Sequence, residues 1–296
     1  MFKHMLFIIN PRAGMQKISR PLLSIIQTFS NAGFLPTVLT TQKQGDATDF
    51  VRLYGKDNDV IVCSGGDGTF NEVVAGLKEA ELDLPIGYLP AGSTNDFANS
   101  LNLSTDLTKA AQDIVEGEEY FIDLGLYNNR YFSYVACCGA FAKTSYSTPQ
   151  NIKNILGHLA YVLNGVKDLP SFQKEHIRIE TNGQTYEDDY IYCGVSNATV
   201  LGGVLKFDEL LVDMSDGLFE IMLVKFPTNP LDLEKIVRAL VSGNYADCPM
   251  IEFIHTDEVD FYFEYPVPWS IDGEYDPGDN HVHIQNLPKA LRLLKR

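Results

Sequence analysis

The stretch Val60-Ile-Val-Cys-Ser-Gly-Gly-Asp-Gly-Thr-Phe-Asn-Glu-Val-Val74 sets one carboxylate, Asp67, inside a run of three glycines, Gly65, Gly66 and Gly68. The apolar run Val60–Cys63 predicts a buried parallel strand, and the spacing over Phe70–Leu77 predicts a helix. Strand, glycine loop and helix together point backbone N–H groups and a helix N-terminus at an anion. The glycines are expected to supply positive φ and a close approach to the ligand. The spacing is neither G-x-x-x-x-G-K-[ST] nor G-x-G-x-x-G, so neither a P-loop nor a Rossmann dinucleotide site is indicated. A bare carboxylate beside phosphates would repel them. It belongs there if a cation lies between, and Mg²⁺ held by carboxylates and nucleotide phosphates is the usual arrangement. The plain alternative is a tight strand-to-helix turn with an aspartate near the helix start.

Three further stretches carry acids in turns. Leu89-Pro-Ala-Gly-Ser-Thr-Asn-Asp-Phe-Ala98 follows a predicted strand, Pro85–Leu89, and holds Asp96. In a parallel sheet Asp67 and Asp96 both lie at carboxyl ends of strands, where ligands bind. Ile271-Asp-Gly-Glu274 reads alone as a hairpin turn followed by an acid. Asp213-Met-Ser-Asp-Gly-Leu218 reads alone as a D-G hairpin turn.

Ser64–Asn71 resembles the GGDGT[LIF]NE signature of the diacylglycerol/sphingosine-type lipid kinases. NAD kinases and 6-phosphofructokinases share a related GGDG loop. The downstream element separates them, because Leu89–Ala98 is similar to the lipid kinases' P-x-G-T-x-N-D-F-A-R. Ser93 stands in the Thr place and keeps a hydroxyl, while Asn99 stands in the Arg place and removes a cation. Asn10-Pro-Arg-Ala-Gly14 resembles the family's N-P-x-[AS]-G, and Thr41-Gln-Lys-Gln-Gly-Asp-Ala47 its T-x-x-x-G-D-A. The match runs almost end to end and is strongest toward the soluble bacterial members.

The resemblance implies an ATP- and Mg²⁺-dependent lipid kinase, with diacylglycerol the leading acceptor and phosphatidic acid the product. Asn10, Pro11, Arg12, Ala13, Gly14, Thr41, Gly65, Gly66, Asp67, Gly68, Thr69, Asn71, Ser93 and Asn95 would hold the nucleotide. Asp67 and Asp96 would hold or order Mg²⁺. Glu274 would take the hydroxyl proton, oriented by Asp272. The 213–218 turn resembles the segment that holds a structural Mg²⁺ in bacterial relatives. Asp216 would give a carboxylate, and Asp213 and Leu218 backbone carbonyls. Asp123, in the family-like Ile122-Asp-Leu-Gly125, would connect to that ion through water. Oxygen-only ligands suit Mg²⁺ rather than Zn²⁺. Two other readings are a kinase of the same scaffold with another lipid alcohol or a soluble, NAD kinase-like substrate, and a nucleotide-binding regulator without catalysis.

The elements that must position these residues fall into two groups. Up to about residue 126 strands alternate with helices at Pro21–Ala32, Asp46–Tyr54 and Leu107–Glu116, which predicts an α/β nucleotide-binding domain over 1–126. From 127 to 285 aromatic and β-branched runs alternate with turns such as Asn182-Gly183 and Asp272-Gly273, which predicts a β-sandwich lipid-substrate domain. The resemblance places the active site in the cleft between these domains, and returns the final strand to complete the first domain with 286–296. A helix over 152–169, with Lys153 and Lys167, reads as a lipid-facing lid or as a helix packed on the sandwich.

The 296 residues suffice for two cores, and no apolar run approaches the roughly 20 residues of a membrane span. Met5–Ile9 is too short for a signal-peptide core. Five cysteines in no metal-ligand spacing read as reduced thiols, which favours the cytoplasm. A net charge of −16 argues against nucleic acid as a partner. It also sets a problem for membrane docking, where each basic residue near the surface is worth about 1 kcal/mol. A peripheral contact with the inner face of a membrane would need a local basic or apolar face. Homodimerisation is left open by the sequence.

Overall fold

The computed structural model describes residues 2–140, 174–201, 205–206, 212–245 and 247–296. The helix expected over 152–169 lies outside them. The chain divides into two compact units, Met1–Leu124 with Lys289–Arg296, and Gly125–Pro288.

The elements of the first unit are β1 (Lys3–Ile9), α1 (Leu22–Asn31), β2 (Phe34–Thr40), α2 (Asp46–Tyr54), β3 (Val60–Gly65), α3 (Asp67–Glu79), β4 (Ile86–Pro90), α4 (Asp96–Ser100) and α5 (Leu107–Glu116), and β5 (Glu118–Tyr127) leads out of it. The strands pair in parallel in the order β2-β1-β3-β4. Every residue of β3 is buried, which is what an apolar run between two helical layers requires. Met5, Phe7, Val60, Val62 and Leu89 pack with Ile25 and Phe29 of α1 and with Ala110, Ala111 and Ile114 of α5. Asp106 starts α5, its carboxylate accepting the N–H groups of Thr108 and Lys109 at 2.9 and 3.1 Å.

The second unit holds β6 (Arg130–Phe132), β7 (Val135–Gly139), β8 (Glu175–Thr181), β9 (Gln184–Ser196), β10 (Val200–Leu201), β11 (Leu205–Lys206), β12 (Phe219–Lys225), α6 (Pro230–Ser242), β13 (Ile251–Thr256), β14 (Glu258–Phe263), β15 (Trp269–Ile271) and β16 (Glu274–Asp276). It also holds the first half of β17 (His281–Lys295). Pairing is antiparallel, in the order β16-β15-β7-β9-β8-β14-β17, with β12 joining β9 to β13. One core runs through these strands, built on Trp269, Phe132, Phe219, Phe261, Val282 and Ile284. Asn229 caps α6 and Gly243, at φ 71°, ends it.

The last residues of β17 return to the first unit, where Leu293 pairs in parallel with Ile86 of β4. The strand that serves the second unit over 281–288 and the final strand expected within 286–296 are thus one. All five cysteines are buried free thiols. Among the described residues no helix is long and apolar enough to cross a membrane.

Candidate active site

In the first unit, three loops leave the carboxyl ends of β1, β3 and β4 and are tied to one another. The Asn10 amide donates to Thr69 Oγ1 at 3.1 Å, and Asn10 Oδ1 accepts the Arg12 N–H at 3.0 Å. The Ala91 N–H donates to the Gly65 carbonyl at 2.7 Å. Asp67 reaches across, its carboxylate accepting the N–H groups of Asp96 at 3.0 Å and Phe97 at 3.4 Å. Asp67 thereby caps α4 from outside that helix. Asn95, at φ 53°, folds its amide onto Gly92, accepting the Gly92 N–H at 2.8 Å and donating to the Gly92 carbonyl at 3.1 Å. Asn99 spends its amide on the Thr94 carbonyl at 2.8 Å, so the residue in the family's arginine place closes the turn.

The glycines work differently from the sequence expectation. None of Gly65, Gly66 and Gly68 has positive φ. Their value is closeness. A Cβ on Gly65 would lie 2.4 Å from Thr69 Oγ1, and one on Gly92 would lie 2.6 Å from Gly66 Cα. A Cβ on Gly68 would meet nothing within 4 Å and would stand in open space at the start of α3. Helix α3 itself starts at Asp67, three residues before the apolar spacing begins, so Gly68 and Thr69 belong to its first turn. Gly14, by contrast, does sit at φ 51°, and a Cβ there would lie 2.0 Å from the Ala91 carbonyl oxygen. Gly14→Ala is expected to cost about 2 kcal/mol or more from the left-handed backbone and the clash together. Urea unfolding checks it; a wild-type midpoint would contradict this close approach.

Beneath the loops lies an aromatic layer that sequence reading missed. Phe70 stacks on Phe97 at 4.3 Å between ring centroids and tilts against Tyr88 at 4.8 Å. The Tyr88 hydroxyl donates to the Gly65 carbonyl at 3.3 Å. Burial, and then the Asp67 charge, push the Tyr88 phenol well up. Burial also pushes the Asp67 carboxyl up, and the N–H groups of Asp96 and Phe97 pull it back. Arg12 and Ser93 are exposed, Pro11, Ala13 and Asn71 are half-buried, and Thr41 is buried at the end of β2, its N–H on the Ile9 carbonyl.

In the second unit Asp272 and Gly273, at φ 49° and 84°, form the two-residue turn that joins β15 to β16. Asp272 is 5% exposed. Its carboxylate accepts three backbone N–H groups, from Ser133 at 2.6 Å, Tyr134 at 3.0 Å and Val135 at 2.9 Å. It therefore pins the β6–β7 loop to the hairpin. Glu274 follows on β16 and pairs with Arg130 of β6, Nη2 to Oε2 at 2.6 Å. Arg130 Nη1 also lies 3.7 Å from Asp276. Arg130 is the residue here that sequence reading passed over.

The 213–218 turn precedes β12. Asp213 Oδ1 accepts the Ser215 N–H at 3.0 Å, and Asp216 Oδ1 accepts the Leu218 N–H at 2.9 Å. Glu220, two residues on, is 3% exposed, and among the described residues neither carboxylate oxygen takes a hydrogen bond from another residue. Burial, then Asp216, push its carboxyl up to about 8. Asp123, fully buried in the first unit, accepts the Lys289 N–H at 2.6 Å. Among the described residues no three His, Cys, Asp or Glu side chains converge as a ready metal cage. The set expected at 213–218 is instead one carboxylate with backbone carbonyls, and the stranded Glu220 beside it fits a cation.

Residues 4–127 match the diacylglycerol kinase catalytic domain, and residues 137–295, over half the chain, match the YegS C-terminal NAD kinase beta sandwich-like domain. The chain belongs to the diacylglycerol kinase family. A diacylglycerol kinase of Staphylococcus carnosus (strain TM300) is 32% identical over 99% of this chain and 95% of its own length. A diacylglycerol kinase of Bacillus subtilis (strain 168) is 31% identical over 94% of each. The crystal structure of a proposed diacylglycerol kinase from Bacillus anthracis superposes with a TM-score of 0.83 at 25% identity, covering 100% of this chain and 96% of that one. This member of the diacylglycerol kinase family is a phosphotransferase with an alcohol acceptor, built as an α/β catalytic domain and a β-sandwich.

Proposed function

We propose that this chain transfers the γ-phosphoryl group of ATP to the hydroxyl of a lipid alcohol, with diacylglycerol the first candidate and phosphatidic acid its product. The observation that carries the reading is the clamp of three loops around Asp67, with open space over Gly68 at the start of a 13-residue helix. That space suits phosphate oxygens, which favour a helix N-terminus.

Mg²⁺ bound with the nucleotide would supply charge neutralisation of the transferring group. Asp67 and Asp96 are the residues that would hold it. Asn10 and Asn95 shape the loops and keep them open to phosphate. On the acceptor side Glu274 takes the proton as the lipid oxygen bonds to phosphorus and the bond to the leaving ADP oxygen breaks. A lipid alcohol does not ionise beforehand at neutral pH, so proton removal accompanies transfer. Arg130 fixes where the Glu274 carboxylate points. Asp272 holds the hairpin on which Glu274 stands.

The test is incubation with labelled ATP and a panel of lipid alcohols in mixed micelles: diacylglycerol, ceramide, a sphingoid base and monoacylglycerol, with NAD as the soluble control. Label in phosphatidic acid is expected. Label in NAD phosphate alone would overturn the lipid reading. Gly68→Ala adds a test of the nucleotide loop. The new methyl meets no protein atom, and an alanine replaces a glycine in a helix, so stability should hold or rise by about 0.5–1 kcal/mol. ATP affinity, read by calorimetry, should fall. An unchanged affinity would move the phosphates away from the start of α3.

A further inference from the structure

Alternate residues of β12 face opposite ways. Phe219, Ile221 and Leu223 enter the sandwich core. Glu220, Met222 and Val224 take the other face and are buried as well, at 3%, 2% and 0% exposed. Met222 and Val224 show what that face ordinarily accepts. Glu220 breaks the pattern with a carboxylate that, among the described residues, takes no hydrogen bond from another residue on either oxygen. Its strand neighbours are Ser196 and His255. The Ser196 hydroxyl is directed to the Ala198 carbonyl instead. His255 Nδ1 stands 3.6 Å from Oε1, beyond hydrogen-bond reach, and its side chain is half-exposed. Asp213 and Asp216 stand in the turn that leads into this strand, so the chain adds acids rather than a basic partner on the approach to Glu220. A buried carboxylate without a partner is costly, and more acids nearby raise that cost. A cation reverses both signs.

We propose that Glu220 is a further acidic partner of the divalent cation at the Asp213–Leu218 turn, a second negative charge beyond Asp216. The inference rests on the reading of that turn as a cation site. The cation class is a hard divalent ion rather than Zn²⁺, since every group offered is oxygen, and Mg²⁺ is the one tested first. The chain tolerates a stranded carboxylate at this position because the bound ion supplies the missing partner. Binding should therefore stabilise the second unit through Glu220, and not only through the turn.

The experiment is thermal unfolding of the nucleotide-free full chain, titrated with MgCl₂ at fixed ionic strength, with CaCl₂ and NaCl as controls. For wild type, a saturable rise in midpoint is expected with Mg²⁺. For Glu220→Gln, the metal-free midpoint should equal or exceed wild type, because a buried acid without a hydrogen-bonding neighbour is gone. Its apparent Kd for Mg²⁺ should weaken about tenfold or more, the usual effect of removing a supporting group at a metal site. Glu220→Met, matching Met222, should move both readouts the same way. A Glu220→Gln protein with a lowered metal-free midpoint and wild-type Kd would overturn the proposal and make Glu220 a structural group. His255→Gln should leave both readouts at wild type; a metal-free midpoint that falls would make His255 the partner instead. Asp216→Asn separates the two levels. If it abolishes the Mg²⁺ response while Glu220→Gln keeps it, only the role of Glu220 fails. If Asp216→Asn keeps the full response, the turn is not the cation site and both readings fall.

Discussion

Glu274→Gln should lower kcat by about 10²–10⁴-fold, the usual cost of removing a general base, with ATP affinity at the wild-type level. Glutamine keeps the size of the side chain and can still accept from Arg130, so the 2.6 Å contact has a neutral substitute. What it cannot do is take the proton from the acceptor oxygen. The pair with Arg130 offers a competing account, in which Glu274 is only one end of a structural bridge. Both side chains are about a third exposed, and a bridge of that kind contributes about 1 kcal/mol or less. Loss of the bridge alone would therefore shift the unfolding midpoint slightly and leave kcat almost untouched. Rapid-quench measurement of phosphoryl transfer decides between them. Near-normal kcat, or a defect confined to ATP affinity, would remove Glu274 from the chemistry. Asp272→Asn should fail in another way. Its carboxylate holds three backbone N–H groups, so the expected loss is stability of the second unit, with activity falling in step.

Asp67→Asn should abolish measurable turnover while the protein stays folded. A carboxylate in a glycine loop beside phosphates would repel them unless a cation lies between, and an amide cannot supply the charge that holds that cation. The geometry predicts a second, smaller effect. Asp67 accepts from both Asp96 and Phe97 N–H groups. An asparagine must turn its NH₂ toward one of those donors and lose that bond, so stability should fall by about 1–2 kcal/mol. Circular dichroism with chemical unfolding measures the stability, and the lipid-phosphorylation assay the turnover. Retained activity would sink the assignment of the loop. Asp67→Ala distinguishes the two effects, since it loses both bonds and should be less stable than Asp67→Asn but no less active.

The glycine loop was legible because a strand, a glycine run and a helix follow one another within fifteen residues, so local pattern carried the geometry. The reason for its glycines was not. Gly65 and Gly92 matter for what other loops bring against them, and Gly92 meets Gly66 from 26 residues away. Among Gly14, Gly65, Gly66, Gly68 and Gly92, Gly14 alone has the positive φ that a glycine leads one to expect. Arg130 was invisible for the same reason, as its partner Glu274 lies 144 residues on. Glu220 was masked by the alternation rule. A polar residue inside a strand run reads as the solvent face, yet β12 is buried on both faces. The strand structure of the second half was readable from its turns, whereas the joining of 281–284 to 290–295 was not, because Pro288 reads as a break.

The route of the chain through its two units has a consequence for the timing of folding during synthesis. Unit Gly125–Pro288 is continuous in sequence and is complete once its own residues have left the ribosome. The first unit, although translated first, is not. Its sheet receives Leu293 beside Ile86, and Lys289 supplies the N–H that the buried Asp123 carboxylate accepts. Until residues 289–296 emerge, the open side of β4 lacks that neighbour and Asp123 lacks that donor. At about 5–20 residues per second, the nascent catalytic unit therefore waits roughly nine to thirty-five seconds for its last strand. The usual order, in which the leading domain folds before its successor, is inverted. Capturing nascent chains at 288 and at 296 residues, each with a long tether to the exit tunnel, should show a protease-resistant second unit in both, and a protease-resistant first unit only in the longer.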